Sequence, residues 1–335
     1  MRLNRAIDLQ YGLKIAPLMG FPGTKLTNTR LKDNLANGDL QYQSIATLYH
    51  KYKPDFVFPM MDLTVECEAL GACIRHPDDE FPSVEKILIK APEDLKRLRI
   101  PEVGEGNRLG VFVRTLELLV KEMPSNVIKS AYVLGPLSMA GRLMGASELM
   151  MNIVMEPGFV HELLAICNEL LKKYIDAFLR IGPDSVWILE PTSSLVSLEH
   201  ANEFSNNYIK ELNVRIKKRG VSPVIHNCGK VEHLVESFCD TGIEGLSFGS
   251  AVSIPALYSR VPEDIVVFGN LDPTKVFLQM DVNEVRAETD GLLDEMNGAP
   301  NFVLSSGCDL PPNTKLENIK AFTETARSFP WRSLD

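Results

Sequence analysis

Short apolar runs alternate with amphipathic stretches along most of this chain. The runs are Leu13–Pro17, Phe56–Pro59, Ile128–Leu134, Val186–Leu189, Pro223–His226, Gly245–Phe248, Ile265–Gly269 and Phe302–Ser305. Each is bounded by Pro, Gly, Asn or Asp, and continuous apolar runs of this length are what strands buried on both faces of a parallel sheet look like. Between them the apolar residues return at helical spacing. In Pro157–Arg180 the side chains of Leu163, Leu164, Ile166, Cys167, Leu170, Leu171 and Tyr174 share one face, which needs a core to cover it. Glu203–Arg219, Val282–Met296 and Asn313–Arg327 repeat the pattern.

Eight strands alternating with helices define an α/β protein, built either as a closed barrel or as a doubly wound sheet. No G-x-G-x-x-G follows a strand and no G-x-x-x-x-G-K-[ST] occurs, so the nucleotide-binding signatures of wound sheets are missing. The expectation is a single (β/α)8 TIM barrel, one catalytic domain over residues 1–335 with an irregular excursion at about 73–107. A barrel of this kind carries its chemistry at the carboxyl ends of the strands. Unusual polar residues collect there: Asp62 after the second run, Glu190 after the fourth, His226 and Cys228 at the fifth, Ser247 at the sixth, Asn270 and Asp272 at the seventh, Cys308 and Asp309 at the eighth.

Composition narrows the class of partner. With 35 basic against 44 acidic side chains, the formal net charge is −9, which disfavours nucleic acid and anionic lipid as main partners. The densest basic run, Lys217-Lys218-Arg219, ends a helical pattern and suits its negative terminus. There is no membrane-length apolar run, and Met1–Arg5 is not backed by an apolar signal core. Six scattered cysteines without such a signal read as reduced thiols of a cytoplasmic protein.

Two of those thiols stand out. His226 and Cys228 lie two apart on an extended segment, so their side chains point the same way. Cys308 comes at the end of the eighth run, on the same barrel face. One imidazole and two thiolates suit zinc by softness, and three protein ligands leave a fourth position open, as catalytic sites do. The competing reading is one satisfied core histidine and two unrelated buried thiols. Thiolate donation damps the Lewis acidity that hydrolysis needs, but such an ion holds a soft thiol as thiolate at neutral pH. That chemistry points to alkyl transfer.

At this point the residues resemble a family. Gly269-Asn270-Leu271-Asp272-Pro273, Asp62 within Phe58-Pro59-Met60-Met61-Asp62-Leu63-Thr64, and Gly135-Pro136 are similar to motifs of the uroporphyrinogen decarboxylases, from about Phe56 to the C-terminus. The resemblance implies a (β/α)8 barrel. The arginine-rich N-terminal motif of the decarboxylases is absent; Pro17–Gly23 stands in its place, and Cys308 replaces their late histidine. His226-Asn227-Cys228-Gly229-Lys230, Gly307–Thr314 and Leu316–Lys320 instead resemble the cobalamin-dependent methyltransferases of the same superfamily. That branch implies a methylated corrinoid (methylcobalamin) protein as donor and partner, a small-molecule methyl acceptor, and His226, Cys228 and Cys308 as zinc ligands.

The acceptor is read from the other strand-end groups. Three carboxylates, Asp62, Glu190 and Asp309, suit the amino-oxo edge of tetrahydrofolate. Asn227 and Asn270 are placed to hold its remaining ring atoms, with Asp62 or Glu190 catalytic. The alternative keeps the donor and makes coenzyme M or another thiol the acceptor on zinc, with Arg142 facing its sulfonate. Porphyrinogen decarboxylation and a non-catalytic corrinoid-binding role rank below both; no D-x-H-x-x-G motif of a corrinoid carrier occurs.

Overall fold

The structure is a computed structural model that describes Leu3, residues 12–104 and residues 106–331. The Met1–Arg5 segment therefore lies, Leu3 apart, outside the described residues. Seven parallel strands form one sheet in the order β1-β4-β5-β6-β7-β8-β9. They are β1 (Phe56–Val57), β4 (Ile128–Leu134), β5 (Ser185–Leu189), β6 (Ser222–Asn227), β7 (Gly245–Phe248), β8 (Val266–Leu271) and β9 (Phe302–Ser306). The remaining two, β2 (Ile74–Arg75) and β3 (Ser83–Val84), pair antiparallel as a hairpin. That hairpin and a 3₁₀ turn at Pro92–Arg97 occupy the 73–107 excursion. Every residue of β4 and β5 is buried, which is why the sequence there reads as unbroken apolar runs.

The sheet curls, and its two edges flank one short segment. On one side, Ala16 donates to the Leu304 carbonyl at 2.8 Å and Leu304 donates to Lys14 at 3.1 Å; on the other, Asp55 donates to Ile15 at 2.9 Å. The expected first strand, Leu13–Pro17, is thus corrected to a single parallel bridge between Ile15 and Leu304. Local chemistry keeps it short. Gly12 turns the chain at φ +91°, and Pro17 has no N–H to continue a ladder. The ladder-forming architecture is a seven-stranded parallel sheet curled into a partial barrel.

Aromatic rings fill the concave interior. Phe58 stacks on Tyr132 with centroids 4.9 Å apart and meets Trp187 edge-on at 5.0 Å, while Trp187 packs on Phe268 at 4.7 Å. Outside, the Pro157–Ile181 helix buries Leu163, Leu164, Cys167, Leu170, Leu171 and Tyr174, and Gly182 ends it at φ +82°, a left-handed cap that glycine adopts without steric cost. The helix expected over Glu203–Arg219 is interrupted: a π turn at Asn202–Asn206 precedes the α-helix Asn207–Lys217. The last helix starts at Leu316, after Pro311-Pro312, rather than at Asn313.

Candidate functional site

The carboxyl ends of β6 and β9 bring three ligand-type side chains together. One ligand atom each from His226, Cys228 and Cys308 lies within 4.8 Å of the other two. His226 sits opposite Ser247 in the β6–β7 register, and its Nδ1 is 3.0 Å from the Ser247 Oγ. Its Nε2 is buried and has no hydrogen-bond partner among the described residues. Buried ring nitrogens are rarely left this way, and an imidazole beside two sulfurs, with its Nδ1 held by a hydroxyl, has the donor set and the supporting hydrogen bond of a metal-binding histidine. The neighbouring Cys308 thiol, then the His226 imidazole, pull the Cys228 thiol down to about 4. Cys308 is pushed up in return by the same pairing and by burial.

Glycines let the loops close around these sulfurs. A Cβ on Gly249 would stand 2.3 Å from the Cys228 Cα, and one on Gly307 would stand 2.7 Å from the Ser250 nitrogen. Asn270 pins the same loop by donating to the Gly249 and Val252 carbonyls at 2.8 Å each. Asn227 has both amide hydrogens engaged, on the Glu190 carbonyl and on Ser193 Oγ, while its Oδ1 accepts from Gly229 at 2.8 Å. Both asparagines therefore spend their donors on loop carbonyls and hydroxyls of the protein.

The acidic candidates divide. Glu190 is fully buried and accepts from the backbone of Leu137 (3.0 Å) and Ser138 (2.7 Å), from the Ser138 hydroxyl and from Ser205 at 3.2 Å. It caps the Pro136–Met144 helix from a neighbouring strand, where the exposed N–H groups and the helix dipole favour a carboxylate. Gly135 makes room for it, since a Cβ there would lie 2.4 Å from its Oε2. Burial still pushes Glu190 up to about 7. Asp62 binds the Arg108 guanidinium and both the N–H and hydroxyl of Thr64. Asp309 differs: its Oδ2 accepts from Met61 N at 3.2 Å, while its Oδ1 is buried without a partner.

Sequence reasoning named Arg142 as the cation of this face and overlooked Arg108, which ties Asp62 to Glu68 and Thr64. Arg108 begins a helix some forty residues downstream of its partners, and no local pattern links them. Arg142 is half-buried; among the described residues its guanidinium makes no hydrogen bond or ion pair, though its charge acts on the buried Glu66. Glu66 was also missed. It accepts from Leu134 N at 2.8 Å, and burial pushes it up to about 7. Tyr132, third of the overlooked groups, ends in a buried hydroxyl without a partner. Asn270 and Asp272 also line a separate groove of about 650 Å³ against the Val282–Met296 helix; none of the three cluster residues borders it.

A curled parallel α/β sheet with an imidazole and two thiols at its carboxyl edge defines the class. The chain belongs to the uroporphyrinogen decarboxylase (URO-D) family, whose model matches residues 23–329. Among curated relatives, it is 27% identical over 273 residues to methylcobamide:CoM methyltransferase MtbA of Methanosarcina acetivorans, covering 81% of this chain and 78% of the relative. It is 26% identical over 264 residues to methylcobamide:CoM methyltransferase MtaA of Methanosarcina barkeri, covering 77% and 75%. A uroporphyrinogen decarboxylase of Prochlorococcus marinus is 22% identical over 309 residues, covering 90% and 87%. A solved methyltransferase from Methanosarcina mazei superposes with TM-score 0.85 over 98% of both chains at 20% identity, a likeness of fold. No described helix is long and apolar enough to cross a membrane.

Proposed function

We propose that the chain is a corrinoid-dependent methyltransferase that moves a methyl group from a methylated corrinoid protein to a small thiol, coenzyme M being the thiol named for its relatives. One observation carries this reading: His226, whose buried Nε2 has no hydrogen-bond partner among the described residues, has a ring nitrogen within 4.8 Å of the sulfurs of Cys228 and Cys308 at the open end of the sheet. His226, Cys228 and Cys308 would hold zinc, with Ser247 fixing the imidazole. When bound, zinc supplies a site on which a thiol is held as thiolate at neutral pH. The thiol would give its proton to solvent and its sulfur would attack the methyl carbon, the C–S bond forming as the bond to the corrinoid breaks, with that bond's electron pair leaving on the corrinoid. The chain's own part is to aim that sulfur along the Co–C axis and to keep competing nucleophiles away. We further read the Lys14–Ala16 segment as the remnant eighth strand that completes the ring.

The tetrahydrofolate reading drew on Asp62, Glu190 and Asp309 as free acids. Asp62 and Glu190 are committed to Arg108, Thr64, a helix N-terminus and two serines. That removes two of the three acceptors a pterin edge would use, and the named relatives point to the thiol as well. The test mixes the zinc-loaded chain with methylcobalamin and either coenzyme M or tetrahydrofolate, and follows loss of the methyl-cobalt absorbance. Turnover with the thiol is expected. Turnover with tetrahydrofolate alone overturns the reading.

A further inference from the structure

Three polar atoms around the cluster are buried and lack partners among the described residues: His226 Nε2, Asp309 Oδ1 and the Tyr132 hydroxyl. A metal accounts for the first alone. Tyr132 and Asp309 are each 8% exposed, and polar groups at that depth are normally paired. The two sit against one segment. The Phe58 ring stacks on Tyr132 at 4.9 Å and 5°, and three residues on, Met61 N binds the other oxygen of Asp309. Trp187 closes on Tyr132 edge-to-face at 6.2 Å. The ring is therefore clamped between Phe58 and Trp187.

We infer that the Tyr132 hydroxyl and the Asp309 Oδ1 form a specificity pocket beside the cluster, which receives the polar end of the acceptor thiol. The inference rests on the thiol reading above and says which thiols are chosen: short ones whose other end carries oxygen or nitrogen. The sulfur goes to the cluster, and the polar end satisfies two atoms that otherwise stay bare. An apolar thiol leaves both unpaired, and sites built to hydrogen-bond a ligand reject the analogue that lacks the group far more strongly than an apolar pocket rejects an extra methylene. Tyr132 and Asp309 are positioning residues in this scheme; neither exchanges atoms with the substrate.

The test measures dissociation constants by calorimetry on the zinc-loaded full chain. The probes are ethanethiol, 2-mercaptoethanol, cysteamine and 2-mercaptoethanesulfonate, which share the ethyl thiol and differ at the far end. At least one polar thiol is expected to bind about tenfold or more tighter than ethanethiol, and which one does so identifies the end group. Tyr132→Phe keeps the ring against Phe58 and is expected to abolish that preference, with zinc content and ethanethiol binding unchanged. Asp309→Asn gives a second variant of nearly equal volume and is expected to re-order the polar probes. Equal binding of all four by the parent chain, or a preference indifferent to both variants, overturns the pocket while leaving the thiol reading intact. If no thiol binds the zinc-loaded chain, both fall together.

Discussion

The two halves of the sheet's carboxyl edge use polar residues in opposite ways. On the β1, β4 and β5 side the carboxyl groups are satisfied: Asp62 by Arg108 and Thr64, Glu66 by Leu134 N, Glu190 by a helix N-terminus and two serines. On the β6 and β9 side, together with Tyr132 of β4, polar atoms lack partners among the described residues: His226 Nε2, Asp309 Oδ1 and the Tyr132 hydroxyl are buried and bare, and the neighbouring Cys308 thiol holds the Cys228 thiol below its ordinary range. Buried polar groups are normally paired. The first side therefore reads as framework that holds loops in place, and the second as the surface left open for metal and substrate. Charge type alone does not tell them apart, because both carry carboxylates.

The largest effect should come from the open side. His226→Ala is expected to remove bound zinc and lower methyl transfer by more than the roughly 10–100-fold typical of an outer-shell change, with the melting temperature of the metal-free chain nearly unaltered. Metal analysis and methylcobalamin turnover on one preparation check this. Next comes the framework side. Glu190→Ala leaves the Leu137 and Ser138 N–H groups and the Ser205 hydroxyl without an acceptor, and should lower stability by about 3 kcal/mol, read from denaturant unfolding. If Glu190→Ala instead folds normally and fails only in turnover, the division between the halves is wrong. Ser247→Ala removes the hydrogen bond to His226 Nδ1 and should weaken zinc binding about 10–100-fold, measured by competition with a chelator.

The smallest effect concerns pH. Burial raises Glu66 and Glu190 from the ordinary carboxyl range to about 7 in the folded chain. The folded state then binds more protons than the unfolded one across that interval. Their contribution to stability is full below the unfolded value and is lost as pH rises toward about 7. Glu66→Gln should flatten this decline, seen as a smaller change in denaturation midpoint between pH 5 and pH 7 than the parent chain shows.

Much of this architecture was legible in the sequence because buried parallel strands leave unbroken apolar runs. Ile128–Leu134 and Gly245–Phe248 have the same bounds as pattern and as strand. The first strand failed because periodicity counts side chains and takes no account of a missing Pro17 N–H. The cluster was legible from the two-residue spacing of His226 and Cys228 and from Cys308 ending the last run. What could not be read was pairing across distance. Arg108 reaches Asp62 over 46 residues and Glu190 caps a helix 52 residues earlier in the chain. Asp62 and Glu190 looked like free acids because their partners were out of view. The polar use of Tyr132 was hidden for the opposite reason: inside an apolar run, a tyrosine looks like core.

The most direct test of the central claim is X-ray absorption at the zinc edge, on the full chain loaded with one equivalent of zinc and on Cys308→Ala. The account expects two sulfur neighbours near 2.3 Å and one imidazole nitrogen near 2.0 Å in the parent chain, distances typical of such ligands, and one sulfur fewer in the variant. A shell of nitrogen and oxygen alone, or a spectrum unchanged by Cys308→Ala, would contradict it.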